Sequence, residues 1–131
     1  MQTSTTRTVP RVLVVDDNRD SSDVLAELLT LHGMTARPAY NGAQALALTQ
    51  DFRPHVLLLD LGMPGIDGYA VAAALQEDDV HRPYIVALTA WNDEATLKRV
   101  NEAGFDRHLA KPSSLKSIMQ AITDSTTTWQ D

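Results

Sequence analysis

Asp16, Asp17, Asp60, Thr89 and Lys111 are the side chains best placed to do chemistry in this chain, and each stands at the end of a short segment with strand character. Asp16 and Asp17, with Asn18 behind them, follow Val12-Leu13-Val14-Val15, and Asp60 follows Val56-Leu57-Leu58-Leu59. Thr89 follows Tyr84-Ile85-Val86-Ala87-Leu88, and Lys111-Pro112 follows Arg107 to Ala110. If these segments are strands of one parallel sheet, the side chains meet on one rim, because open parallel sheets bind ligands outside the carboxyl ends of their strands. Three carboxylates gathered there repel by roughly 4 kcal/mol per pair at ~4 Å in an effective dielectric of 20. Either a carboxyl keeps its proton or a cation binds, and hard oxygen donors with room for water favour Mg²⁺ or Mn²⁺ over Zn²⁺. A sparsely liganded Mg²⁺ generally works on phosphate. Thr89 can then hydrogen-bond one phosphoryl oxygen while Lys111 neutralises another, which completes a site for a transferring phosphoryl group.

The rest of the pattern supplies such a sheet. The apolar runs are too short for helices and suit strands buried on both faces, with weaker strands expected at Thr35 to Ala39 and Arg107 to Ala110. Helical spacing links Val24, Leu25, Leu28 and Leu29; Ala43, Leu46 and Ala47; and Val71, Ala74 and Leu75. It continues in Leu97 and Val100, and in Leu115, Ile118, Met119 and Ile122. Gly33 and Gly104 stand where left-handed caps end helices, while Asn41, Asp67 and Ser113 or Ser114 are placed to start them. Strict strand-helix alternation predicts an α/β fold, a doubly wound parallel sheet of five strands with five helices on its two faces.

Composition sets the outer limits. At 131 residues, 44% hydrophobic and 21% charged, the chain fits one globular domain. Residues 1–10 read as a flexible leader without a signal peptide's apolar stretch, and residues 125–131 as a frayed tail. Cysteine is absent, which excludes disulfides and thiolate metal sites and suits a reducing cytoplasm. No apolar run approaches the roughly 18 residues of a membrane span. A net charge of −6 argues against direct binding to a nucleic-acid backbone.

The segments Val14-Val15-Asp16-Asp17-Asn18, Leu58-Leu59-Asp60-Leu61-Gly62-Met63-Pro64-Gly65-Ile66-Asp67-Gly68, Leu88-Thr89-Ala90 and Leu109-Ala110-Lys111-Pro112 together resemble the receiver domain of two-component response regulators. The resemblance covers residues 11 to about 124. It implies the flavodoxin-like strand order 2-1-3-4-5. It also implies a phospho-accepting signalling switch, not an enzyme, that assists its own phosphorylation and dephosphorylation. Asp60 would take a phosphoryl group from a histidine kinase or histidine phosphotransfer protein. Asp17 and Asp60 would ligate Mg²⁺ directly, Asp16 mostly through water, and Gly62 through its backbone carbonyl. By the same likeness, Lys111 pairs with the acyl phosphate ahead of a cis bond to Pro112, and the backbone at Leu61 and Ala90 contacts the phosphoryl group. Thr89 would move toward that group with His108 swinging in behind it. The surface from Glu94 to Asp124 would meet an unnamed output partner, the domain being a monomer or a phosphorylation-dependent dimer.

Taken singly, each residue has a plainer reading. Asp16-Asp17 before a helix suits a cap, Asp60 a turn, Lys111 a solvated charge, and Met63-Pro64 with Asp67-Gly68 a stiffened loop and helix start. The shared rim is what favours chemistry. Departures from the commonest pattern are His108, where Tyr or Phe is usual; Gly62, which brings no side chain to shield an acyl phosphate; and Trp91, placed to cover the site or anchor a partner. The four histidines, His32, His55, His81 and His108, lack metal-site spacing. Two other classes fit less well. Phosphatases and mutases with an aspartyl nucleophile place a second Asp two residues later, where this chain has Gly62. A flavodoxin-like cofactor carrier needs a phosphate loop after the first strand, where Asp16 and Asp17 would repel it.

Overall fold

The computed structural model describes residues 9–62, 68–77, 82–90 and 93–126. Met63, Pro64, Asp67 and Trp91, to which the sequence assigns loop, cap and covering roles, lie outside these residues, as does His81. Strands and helices alternate as β1 (Arg11–Val15), α1 (Arg19–Leu31), β2 (Thr35–Ala39), α2 (Gly42–Phe52), β3 (Val56–Asp60), α3 (Gly68–Gln76), β4 (Tyr84–Thr89), α4 (Glu94–Glu102), β5 (Arg107–Ala110) and α5 (Leu115–Ser125). All neighbouring strands are parallel, in the order β2-β1-β3-β4-β5. This is the predicted architecture.

Alternation along the strands divides the core in two. Leu13, Val15, Leu57, Leu59, Ile85 and Ala87 face α2, α3 and α4, where they meet Ala45, Phe52, Val71, Leu75 and Val100. Val12, Val14, Val56, Leu58, Val86 and Leu88 face α1 and α5, against Ala26, Leu29, Ile118 and Ile122. Each fully buried Val, Leu or Ile contributes about 1.5–3 kcal/mol, so the central strands are the most firmly held part of the molecule. The edge strand β2 carries Pro38, whose missing N–H discourages a further strand from pairing there.

The helix ends follow local chemistry. Asn18, Asn41 and Ser114 accept hydrogen bonds from the N–H groups of Ser21, Gln44 and Ser117, so Ser114 and not Ser113 starts α5. Gly33 and Gly104 have φ of 93° and 87°, as left-handed caps require. Arg53 closes α2 at φ 49° without being glycine, an ending that the residue type does not announce.

Several expected core positions are corrected. Val24 and Leu97 are 54% and 38% exposed, and Ala43, Ala47 and Ala74 are also exposed. In α2 the buried face is Gly42, Ala45, Thr49 and Phe52. Thr49 is tolerated there because its hydroxyl donates to the Ala45 carbonyl at 2.7 Å. Ser22 is buried in α1 for the same reason, donating to the Val14 carbonyl at 3.0 Å. Ser125, assigned to the tail by sequence, closes α5 and is buried, its hydroxyl donating to the Ile122 carbonyl. Pro10, assigned to the leader, already accepts the Thr35 N–H at 2.8 Å.

Candidate functional site

A cleft of about 540 Å³ opens at the carboxyl rim of the sheet, lined by Asp16, Asp17, Asp60, Thr89 and Lys111. The strand ends bring them there. The β1 ladder continues for one residue as the Asp16 N–H donates to the Ala39 carbonyl at 3.0 Å. Asn18, not either aspartate, caps α1, which leaves both carboxylates to face the rim. The last residue of β3 is Asp60, only 4% exposed, and β4 ends at the equally buried Thr89. The Lys111 N–H donates to the Thr89 carbonyl at 2.8 Å and joins the ends of β4 and β5.

Oxygens from Asp16, Asp17 and Asp60 lie within 4.8 Å of one another. The Asp60 carboxylate is held on both sides: Oδ2 pairs with the Lys111 ammonium at 2.9 Å, and Oδ1 accepts the Gly62 N–H at 2.9 Å. Asp16 Oδ1 accepts the Asn18 N–H at 3.0 Å. Burial pushes the Asp16 carboxyl above the usual carboxylate range; the Asn18 hydrogen bond opposes this, the Asp60 charge adds to it, and Lys111 again opposes it. An all-oxygen donor set whose negative charge exceeds what one ammonium offsets fits a divalent cation of the Mg²⁺ type.

The remaining expected residues divide. Leu61, Gly62 and Ala90 line the cleft. The Leu61 N–H, however, donates to the Leu88 carbonyl at 3.0 Å, and it is the Gly62 N–H that reaches Asp60. The Lys111-Pro112 peptide is cis, as the family likeness implied. His108 does not line the cleft. It sits half-buried on β5, in register with Ala87, and its buried Nε2 has no hydrogen-bond partner among the described residues. Tyr69, Thr96 and Arg99 also line the cleft and were not anticipated. They come from α3 and α4, outside the strand ends that drew attention in the sequence.

Residues 12–123 match the family described as the response regulator receiver domain. The chain belongs to that family. It is 40% identical over 118 residues to the transcriptional regulatory protein PrrA of Mycobacterium tuberculosis, covering 88% of this chain and 49% of that protein. It is 31% identical over 114 residues to the chemotaxis protein CheY of Halobacterium salinarum, covering 87% and 94%. Among solved structures, the signal receiver domain of a response regulator from Bermanella marisrubri superposes with a TM-score of 0.82 at 28% identity, over 91% of this chain and 99% of that one. The chain thus spans about half the length of PrrA and nearly all of CheY. As a receiver domain it is a signalling domain of two-component systems. Among the described residues, no helix is long and apolar enough to cross a membrane.

Proposed function

We propose that this receiver domain is a phosphorylation switch whose acceptor is Asp60. The observation that carries the reading is a nearly buried carboxylate with a lysine ammonium at 2.9 Å, inside a cluster of further carboxylate oxygens within 4.8 Å. A lone acid at a strand end needs neither the cation nor the acids around it.

The donor is a phosphohistidine on a histidine kinase or phosphotransfer protein. An Asp60 oxygen forms the new O–P bond as the N–P bond breaks, and the imidazole leaves with the electron pair. Asp16, Asp17, Asp60 and the Gly62 carbonyl would hold Mg²⁺, or Mn²⁺, which when bound offsets the charge of carboxylates and phosphoryl oxygens together. Lys111, already beside Asp60, follows the charge onto the phosphoryl oxygens. Thr89 and the Ala90 N–H contact another oxygen, and Leu61 does so on releasing its bond to Leu88. Between α1 and α5 runs a groove lined by Val24, Leu25, Leu28 and Leu115 that reaches Asp16 and Lys111. It offers an apolar landing surface to a partner that must bring its histidine to Asp60.

The output follows from Thr89. As its hydroxyl turns to the phosphoryl group, the His108 ring moves toward the vacated space and alters the Glu94 to Asp124 face. An unpartnered buried nitrogen costs roughly 1–3 kcal/mol, so the unpartnered His108 Nε2 makes the present ring position easy to leave. A cytoplasmic setting, where phosphohistidine donors act, fits this role.

Asp60→Asn tests the reading. Incubated with Mg²⁺ and acetyl phosphate or a phosphorylated kinase, wild type gains the mass of one phosphoryl group and the variant gains none. A variant labelled to wild-type level would remove Asp60 from the role.

A further inference from the structure

One wall of the cleft has no part in the chemistry above. Helix α4 brings Arg99 to it, and the guanidinium carbon lies 3.9 Å from the centroid of the Tyr69 ring. Tyr69 lines the same cleft from α3 and is itself fixed, its ring meeting that of buried Phe105 edge-on at 87° with centroids 5.7 Å apart. Stacking of this kind limits the positions open to a long, exposed side chain. Arg99 is therefore a second cation, besides Lys111, presented at the cleft from a defined platform.

Arg99, Gly62 and Asp60 line the same cleft. Among the described residues a Cβ on Gly62 would meet only Asp60 Oδ1, at an ordinary 3.5 Å, so the missing side chain adds no bulk beside the acceptor. A phosphorylated carboxylate presents several oxygens and more charge than one ammonium balances. A planar guanidinium can take two oxygens at once, which a lysine's point charge cannot do in the same geometry.

We propose that Arg99 is a second phosphoryl-binding cation of this site: positioned by Tyr69, it contacts phosphoryl oxygens on Asp60 within the cleft that both residues line. The inference rests on Asp60 being the acceptor. In the transfer the N–P bond of the donor is exchanged for the O–P bond on Asp60, and Arg99 donates hydrogen bonds to the group without gaining or losing a proton. Tyr69 is a positioning residue.

Beryllofluoride, which stands in for the phosphoryl group on Asp60, supplies the test. The full chain is titrated with it by calorimetry at saturating Mg²⁺, and separately with Mg²⁺ alone. Arg99→Ala should weaken beryllofluoride binding by about tenfold, the lower end for charge-assisted hydrogen bonds at a solvated mouth. Arg99→Lys should recover part of that loss, Tyr69→Leu should give a smaller one, and Lys98→Ala, one residue away on α4, should match wild type. Mg²⁺ affinity should stay level across the set. If Arg99 only clasps α4 to α3, Arg99→Ala melts earlier yet binds beryllofluoride within about twofold of wild type, and the proposal is overturned. If wild type binds Mg²⁺ but no beryllofluoride, the acceptor reading fails and this inference with it; labelling of Asp60 with unaltered affinity in Arg99→Ala overturns this inference alone.

Discussion

Strands β3 and β5 both deliver a charged group to the cleft, yet they are held in opposite ways. Every residue of β3, from Val56 to Asp60, is buried, with a strand on each side and helices on both faces. In β5, Arg107, His108 and Leu109 are only half-buried, Ala110 is exposed, and among the described residues β4 is the sole neighbouring strand. The neighbouring helix α4 buries Val100 alone. Asp60, the proposed acceptor, thus stands on the part of the sheet least able to drift, while Lys111 and His108 stand where movement is cheap. Local stability follows burial, so a fixed centre and a movable edge coexist in one small domain.

The largest expected effect tests that contrast by truncation. Leu58→Ala on β3, at a site with no exposed surface, should lose about 2–5 kcal/mol of stability in chemical denaturation. Leu109→Ala on β5 should lose less than half as much, because the site is already partly open to water. Equal losses would break the comparison. Next in size, His108→Phe should gain about 1 kcal/mol, since it removes a buried nitrogen without a partner while keeping a ring. An unchanged or lower melting temperature would mean that the ring nitrogen is satisfied in solution.

The same contrast explains what the sequence discloses. Strands buried on both faces write themselves as unbroken runs such as Val56-Leu57-Leu58-Leu59, and right-handed crossovers leave few ways to order them. Once the strands are placed, the rim gathers Asp16, Asp17, Asp60, Thr89 and Lys111 without further information. Helix faces are less legible. In α2, apolar residues occur on several sides, and Thr49 turns inward only because its hydroxyl finds the Ala45 carbonyl. The Arg99–Tyr69–Phe105 stack was hidden for another reason: it is made by packing between α3, α4 and the turn before β5, and no spacing along the chain marks it.

A smaller effect concerns the charge that the rigid side tolerates. Burial first, and the neighbouring Asp60 charge in addition, hold the Asp16 carboxyl above its ordinary 3.8, so the folded protein keeps that proton at pH values where the unfolded chain has lost it. Stability from this group therefore declines as pH rises from 3.8 through the raised value. Asp16→Asn escapes the decline. Without Mg²⁺ it should be more stable than wild type above that window, by an amount that solvent screening keeps modest, and less so below it. If Asp16 helps hold Mg²⁺ as proposed, the added ion should shrink the difference, because wild type then gains more from it than the variant does. Parallel melting curves with and without Mg²⁺ decide it, and an advantage that persists undiminished in Mg²⁺ would remove Asp16 from the cation site.

The smallest effect belongs to the movable side. Arg107 of β5 donates to Asp124 of α5 at 2.6 Å, and Gln120 donates to the other carboxylate oxygen at 2.8 Å. These bonds, the arginine's first, hold the Asp124 carboxyl below its ordinary 3.8. The sign is opposite to that of Asp16. Stability from this clasp is fully present above 3.8 and is lost as pH falls through the lowered folded value, where both states carry the proton. Asp124→Asn should therefore melt slightly below wild type at neutral pH and converge with it in strong acid, with added salt narrowing the gap at neutral pH. The clasp is exposed, so it trims the freedom of β5 against α5 without locking it. A large, salt-insensitive loss would show that this edge is held as firmly as the centre of the sheet, and the distinction between a fixed centre and a movable edge would no longer hold.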